Sequence, residues 1–118
     1  MYAKRRDAVQ QDIVQELREM GYSVMDIASL GNNKPDLVIG KLHFTALVEV
    51  KTPRGLKSAV QLLKRGQDVF RETWRGTPVI VAFDSNSIDK AFKEERGKWM
   101  KTTLRTSSSG PQLVLSAG

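Results

Sequence analysis

Asp36, then twelve residues, then Glu49 and Lys51 are the side chains of this sequence whose types and spacing could do chemistry. They lie in PDLVIGKLHFTALVEVK, Pro35 to Lys51. One carboxylate starts an apolar run; a second carboxylate and an amine end the next. Two strands joined by a tight turn bring those ends together. The set suits metal-assisted phosphodiester hydrolysis. Mg²⁺ prefers oxygen ligands, and one or two carboxylates with water and phosphate often complete its shell. Asp36 and Glu49 supply carboxylates, and the backbone carbonyl of Val50 adds a neutral oxygen. A bound metal acidifies a ligated water to make a nucleophile near neutral pH. Lys51 then stands where charge develops on the phosphate. Mn²⁺ suits the same donors.

Side chains two apart on a strand share a face, so Glu49 and Lys51 point one way while Val48 and Val50 point into the core. Leu47 lies on the Glu49 face and has no polar atom to offer. Charged groups inside an apolar strand must be paired or metal-bound. Two readings follow: a metal site, or a direct Glu49–Lys51 ion pair.

Other elements must hold these groups in place. Val9, Ile13, Leu17 and Met20 form one stripe on a helix over 3–20, ended by Gly21. Lys4, Arg5 and Arg6 stand at its start, where cations oppose the helix dipole and a phosphate partner would explain them. A strand is expected over Ser23–Ala28, a polar loop over Leu30–Lys34, and a strand over Leu37–Ile39. Gly40-Lys41 is the expected turn, and His43–Lys51 the return strand. Val60, Leu63, Gln67, Phe70 and Trp74 imply a helix over 57–75 with Gln67 inside its apolar stripe. A buried amide there needs a hydrogen-bond partner. Pro78–Phe83 is continuously apolar, as buried parallel strands are. A short helix over Ser87–Arg96, packed through Ile88, Ala91 and Phe92, closes a domain of residues 1–96. Residues 97–118 read as a partly flexible extension, with Thr106–Gly110 flexible and Gln112–Ser116 either an edge strand or loose. The whole is an α/β fold in the order α-β-β-β-α-β-α.

With 118 residues the chain has room for one domain. A net charge of +6 favours polyanions, chiefly nucleic acid. The absence of cysteine removes disulfides, thiolate zinc sites and cysteine nucleophiles. A single histidine, His43, removes multi-histidine zinc sites. No membrane span or secretory leader is apparent, so a cytoplasmic protein is expected.

With Asp36, Glu49 and Lys51 at its motif positions, the segment resembles the PD-(D/E)XK nuclease superfamily. Within it the chain looks most like small phage and prophage nucleases, akin to the virus-type replication-repair (VRR-NUC) nucleases and archaeal Holliday junction resolvases. The likeness spans about residues 5 to 92. It implies a restriction-endonuclease-like core, with a mixed sheet flanked by helices, and Mg²⁺-dependent cleavage of DNA. It also implies a homodimer, for which Trp99, Met100 and Leu104 offer one interface. Gln67 matches a family glutamine held near the metal, although an amide bonded to backbone is the equal alternative. Many members place a glutamate on the first helix as a metal ligand. Here Gln10 takes that place as a weak, uncharged ligand, with Asp7 one turn earlier and Asp12 on the solvent side.

Phosphate contacts are expected from Lys4, Arg5, Arg6, Asn33, Lys34, Arg54 and Lys57, with Ser29, Asn32, Lys64 and Arg65 as further candidates. Arg54 and Lys57 follow the catalytic strand and would flank the scissile phosphate. The leading expectation is a metal-dependent DNA endonuclease, with four-way junctions as one possible target. A nuclease-fold protein that binds DNA with little or no cutting is the first rival. A basic phage packaging protein is the second.

Overall fold

Leu42 and His43 both adopt left-handed backbone, with φ of 55° and 65°. They make the two-residue turn between strands β2 (Leu37–Lys41) and β3 (Phe44–Val50). Such a turn matches the natural twist of paired strands. It lies two residues later than the expected Gly40-Lys41 turn. Lys41 thereby stays in β2, where its Nζ donates to the Met20 carbonyl at 2.7 Å and sits 4.8 Å from the centre of the Tyr22 ring. The observed register pairs Lys41 with Phe44 and Leu37 with Val48. It brings Asp36, the residue before Leu37, to the Val48–Val50 end of β3. A turn at Gly40-Lys41 would have set Asp36 across from Thr45.

The computed structural model describes the backbone of residues 2–109 and the side chains of residues 8–104. Gln112–Ser116 lies outside the described residues. The elements run α1 (Tyr2–Glu19), β1 (Ser23–Asp26), β2, β3, α2 (Arg65–Thr73), β4 (Val79–Ala82) and α3 (Ser85–Ser109). This is the expected α/β order. The four strands form one mixed sheet in the order β1-β2-β3-β4. β1 and β3 are antiparallel to β2, and β4 runs parallel to β3. β1 stops earlier than expected because Asp26 Oδ1 accepts the Ala28 N–H at 3.0 Å and starts a 3₁₀ turn over Ala28–Leu30.

Strand alternation builds the core. Leu37, Ile39, Ala46 and Val48 are fully buried on one face, where they meet Ile13 and Leu17 of α1 and Ile88 and Phe92 of α3. Val9, expected in the α1 stripe, is 47% exposed, and Val14 is buried instead. Glu49 and Lys51 alternate onto the opposite face, where α2 reaches them through Gln67.

The long helix expected over 57–75 is broken. Val60–Leu62 is a 3₁₀ turn, and Leu63 and Lys64 are extended, with ψ of 137° and 159°. Two local caps explain the break. Ser58 and Gln61 exchange side-chain-to-backbone hydrogen bonds, and Gln67 Oε1 accepts the Lys64 N–H at 2.9 Å. Each glutamine reaches back to an N-terminal N–H, as in a capping box, so each starts its own helical segment. Val60 and Trp74 are consequently exposed; Trp74 stacks on Phe70 instead of joining the core. The final helix is longer than expected: it passes Gly97 without a break and includes Thr106–Ser109. Trp99 holds its second half against Phe44, with ring centres 5.4 Å apart. Among the described residues no helix is long and apolar enough to cross a membrane.

Candidate active site

Asp36 sits where β2 and β3 begin to part. Its N–H donates to the Val48 carbonyl at 2.9 Å, although Val48 is already the partner of Leu37, so the regular ladder ends there. Its Oδ2 accepts the Val50 N–H at 2.8 Å, so the carboxylate replaces the next backbone partner. Local sequence delivers it there. Asn32 and Asn33, with φ of 51° and 65°, turn the chain, and buried Pro35 fixes the extended entry. The Asp36 carbonyl accepts the Ile27 N–H at 2.8 Å, tying the residue to the end of β1 as well.

Glu49 and Lys51 are 4% and 9% exposed. Burial of two charges is tolerated because an amide joins them. Gln67 Nε2 donates to Glu49 Oε2 at 3.1 Å, and Gln67 Oε1 accepts from Lys51 Nζ at 2.7 Å. The direct Glu49–Lys51 approach is 3.7 Å. The ion pair therefore exists, the bridging amide completes it, and Gln67 also bonds backbone through Lys64.

The donors fit a hard cation. Asp36 and Glu49 come to the same strand end, because Asp36 Oδ2 holds the N–H of Val50, the residue that follows Glu49. The N–H and carbonyl of one strand residue point to the same side. The Val50 carbonyl therefore opens toward Asp36, as its N–H does. A carboxylate has about four lone-pair sites, so it can accept an N–H and ligate a cation as well. The residues present give two carboxylates and a carbonyl at one strand end. No group of three or more His, Cys, Asp or Glu side chains able to hold a metal occurs among the described residues.

Gln10 lies beside this strand end. With Val9, Val50, Lys51, Thr52, Pro53 and Phe83 it lines a cavity of about 160 Å³. It belongs to α1, however, which covers the core face, whereas Glu49 and Lys51 project from the other. Asp12 is exposed, as expected. The side chains of Lys4, Arg5, Arg6 and Asp7 lie outside the described residues.

Ser29, Asn32, Asn33, Lys34, Arg54, Lys57, Lys64 and Arg65 are all exposed. Lys34 adjoins the Pro35-Asp36 corner. Arg54 and Lys57 bracket a turn at Gly55, whose φ is 59°. Asn33 packs so closely on Gly66 of α2 that a Cβ there would strike its carboxamide. With Arg65, Asn32 and Asn33 line a shallow basin beside α2. Sequence reasoning missed the cap made by Ser58 and Gln61, although its S-x-x-Q spacing was readable. It also missed Lys41, for which there was no local signal. Compared with protein-family models, with curated proteins and with solved structures, the chain matches none.

Proposed function

We propose that the protein is a metal-dependent endonuclease of the PD-(D/E)XK type that hydrolyses DNA phosphodiester bonds. One observation carries the reading: where β2 and β3 part, Asp36 Oδ2 accepts the N–H of Val50, the residue between Glu49 and Lys51, and those two buried charges are joined by Gln67. Asp36, Glu49 and the Val50 carbonyl would hold Mg²⁺ or Mn²⁺. When bound, the ion supplies Lewis acidity and acidifies water. The chain does the rest. Gln67 fixes the rotamers of Glu49 and Lys51. Lys51 brings a cation to the phosphate undergoing substitution. Lys34, Arg54 and Lys57 draw the DNA backbone to that corner. A homodimer would present two such centres to two strands, with exposed Trp99, Met100 and Leu104 on α3 as an interface. The resemblance places such an enzyme in the bacterial cytoplasm, with a phage or prophage origin.

A labelled four-way junction beside its linear duplex arms, incubated with Mg²⁺ and with wild type or Glu49→Ala, tests this. Paired cuts in the junction, lost in the variant, are the expected result. Tight binding without cutting of either substrate overturns it in favour of a second reading, a DNA-binding protein with a nuclease fold. Gln10 is the observation that favours that rival, because an amide brings no charge to the place of an acid.

A further inference from the structure

At the hairpin-turn end of the sheet, a cavity of about 130 Å³ is lined by Tyr22, Lys41, Leu42, Phe92, Lys93, Arg96 and Gly97. Asp36 and Lys41 stand at opposite ends of β2, five residues apart, or about 17 Å along an extended strand. The cavity is therefore separate from the candidate active site.

Three cations meet here. Lys41 is anchored on the Met20 carbonyl and lies over the Tyr22 ring. Lys93 pairs with Asp89 at 2.8 Å, and the Tyr22 hydroxyl donates to the same carboxylate at 2.6 Å. Arg96 forms neither a hydrogen bond nor an ion pair among the described residues, and its Nε is buried without a partner. Buried donors are normally satisfied, and an orphaned one is costly. The other orphan, Arg71 Nε, differs: its guanidinium already donates to Asp68 at 2.9 Å.

We propose that Lys41, Lys93 and Arg96 form a phosphate-binding pocket, walled by Tyr22, Phe92 and Leu42. Three cations against the Asp89 carboxylate leave an excess of two positive charges. That balance matches a dianionic phosphate better than a monoanionic carboxylate. An arginine fork suits tetrahedral oxyanions. The cavity is many times the space that one water needs, so it has room for an oxyanion. The phosphate belongs either to a small free compound or to a nucleic-acid backbone. The pocket does not depend on the nuclease reading.

The test is titration of the ¹⁵N-labelled full chain with inorganic phosphate, with chloride adjusted to constant ionic strength. Wild type, Arg96→Gln and Lys93→Gln are compared, with folding checked by circular dichroism. Saturable shifts of the Leu42 and Gly97 amides are expected, weakened about tenfold or more in Arg96→Gln. Lys93→Gln provides the second reading should Arg96→Gln fail to fold. Absent or unsaturable shifts, or wild-type affinity in both variants, overturn the proposal. A short DNA duplex added to the phosphate-loaded protein separates the sources. Displacement that requires Arg96 assigns the pocket to backbone phosphate; retention of phosphate assigns it to a small phosphate compound.

Discussion

Lys51 Nζ donates to Gln67 Oε1 at 2.7 Å, a full ångström closer than its 3.7 Å approach to Glu49. The same Oε1 accepts the Lys64 N–H at 2.9 Å. Two donors converge on this oxygen, so the amide nitrogen must face the Glu49 carboxylate, as it does at 3.1 Å. A flipped amide would set NH₂ against an ammonium and an N–H. The orientation of Gln67 is thus determined from three sides, and with it the start of α2 is tied to the end of β3.

Gln67→Leu removes all three bonds at once. It takes away the amide that joins the buried Lys51 and Glu49. We expect a loss of about 2–4 kcal/mol, because buried polar groups deprived of partners bear their desolvation cost. Urea unfolding of the two proteins checks this; a loss under about 0.5 kcal/mol would mean that water replaces the amide readily.

Glu49→Gln keeps the shape of the side chain and removes its charge. Mg²⁺-dependent cleavage of DNA should fall by about a hundredfold or more. Circular dichroism should stay unchanged. Undiminished cleavage would remove Glu49 from the chemistry.

Asp36 has two separable roles. Its Oδ2 holds the Val50 N–H, which Asn can also do through its amide oxygen, whereas Ala cannot. Asp36→Ala should therefore lower stability by about 1–3 kcal/mol, and Asp36→Asn by clearly less. Both should weaken Mg²⁺ binding measured by calorimetry. Equal stability losses would show that charge, not the hydrogen bond, matters at this corner.

DNA affinity should fall steeply with salt. Each phosphate contact contributes about 0.9 to the slope of log affinity against log salt. Replacing Lys34, Arg54 and Lys57 with Gln together should flatten the slope by about 3 × 0.9. Anisotropy titrations at several salt concentrations measure it. An unchanged slope would move the DNA path to another face.

Asp89 and Tyr22 give stability opposite pH limits. Hydrogen bonding to Lys93, then to Tyr22, lowers the Asp89 carboxyl below its ordinary value. Its contribution is present above the ordinary carboxylate pKa of about 3.9 and is lost as pH falls through the lowered value. Burial, then the Asp89 hydrogen bond, raises the Tyr22 phenol above its ordinary value. That contribution is present below about pH 10 and is lost as pH rises through the raised value. Asp89→Asn should flatten the acid limb of stability against pH, and Tyr22→Phe the alkaline limb. Limbs parallel to wild type in both variants would contradict these assignments.

The division between sequence and structure is visible in particular residues. The two-residue period of a strand is local, and it is enough to put Val48 and Val50 toward the core and Glu49 with Lys51 on the other face. The element order was legible for the same reason: apolar periodicity and the Gly and Pro breaks are written along the chain. The position of the hairpin turn was not. Leu42 carries no local preference for left-handed backbone, and its turn with His43 is held by the pairing around it and by Lys41 reaching Met20 and Tyr22. The site depends on that tertiary outcome, because a turn at Gly40-Lys41 would leave Asp36 facing Thr45 instead of the Val48–Val50 end of β3. Likewise the stripe over 57–75 had helical spacing, yet caps at Ser58–Gln61 and Lys64–Gln67 divided it and sent Gln67 to Lys51 and Glu49. Sequence determined which face each side chain occupies, since that follows from covalent geometry. Only the folded chain decided which side chains stand opposite one another, since register and helix starts are chosen by contacts between segments far apart in sequence.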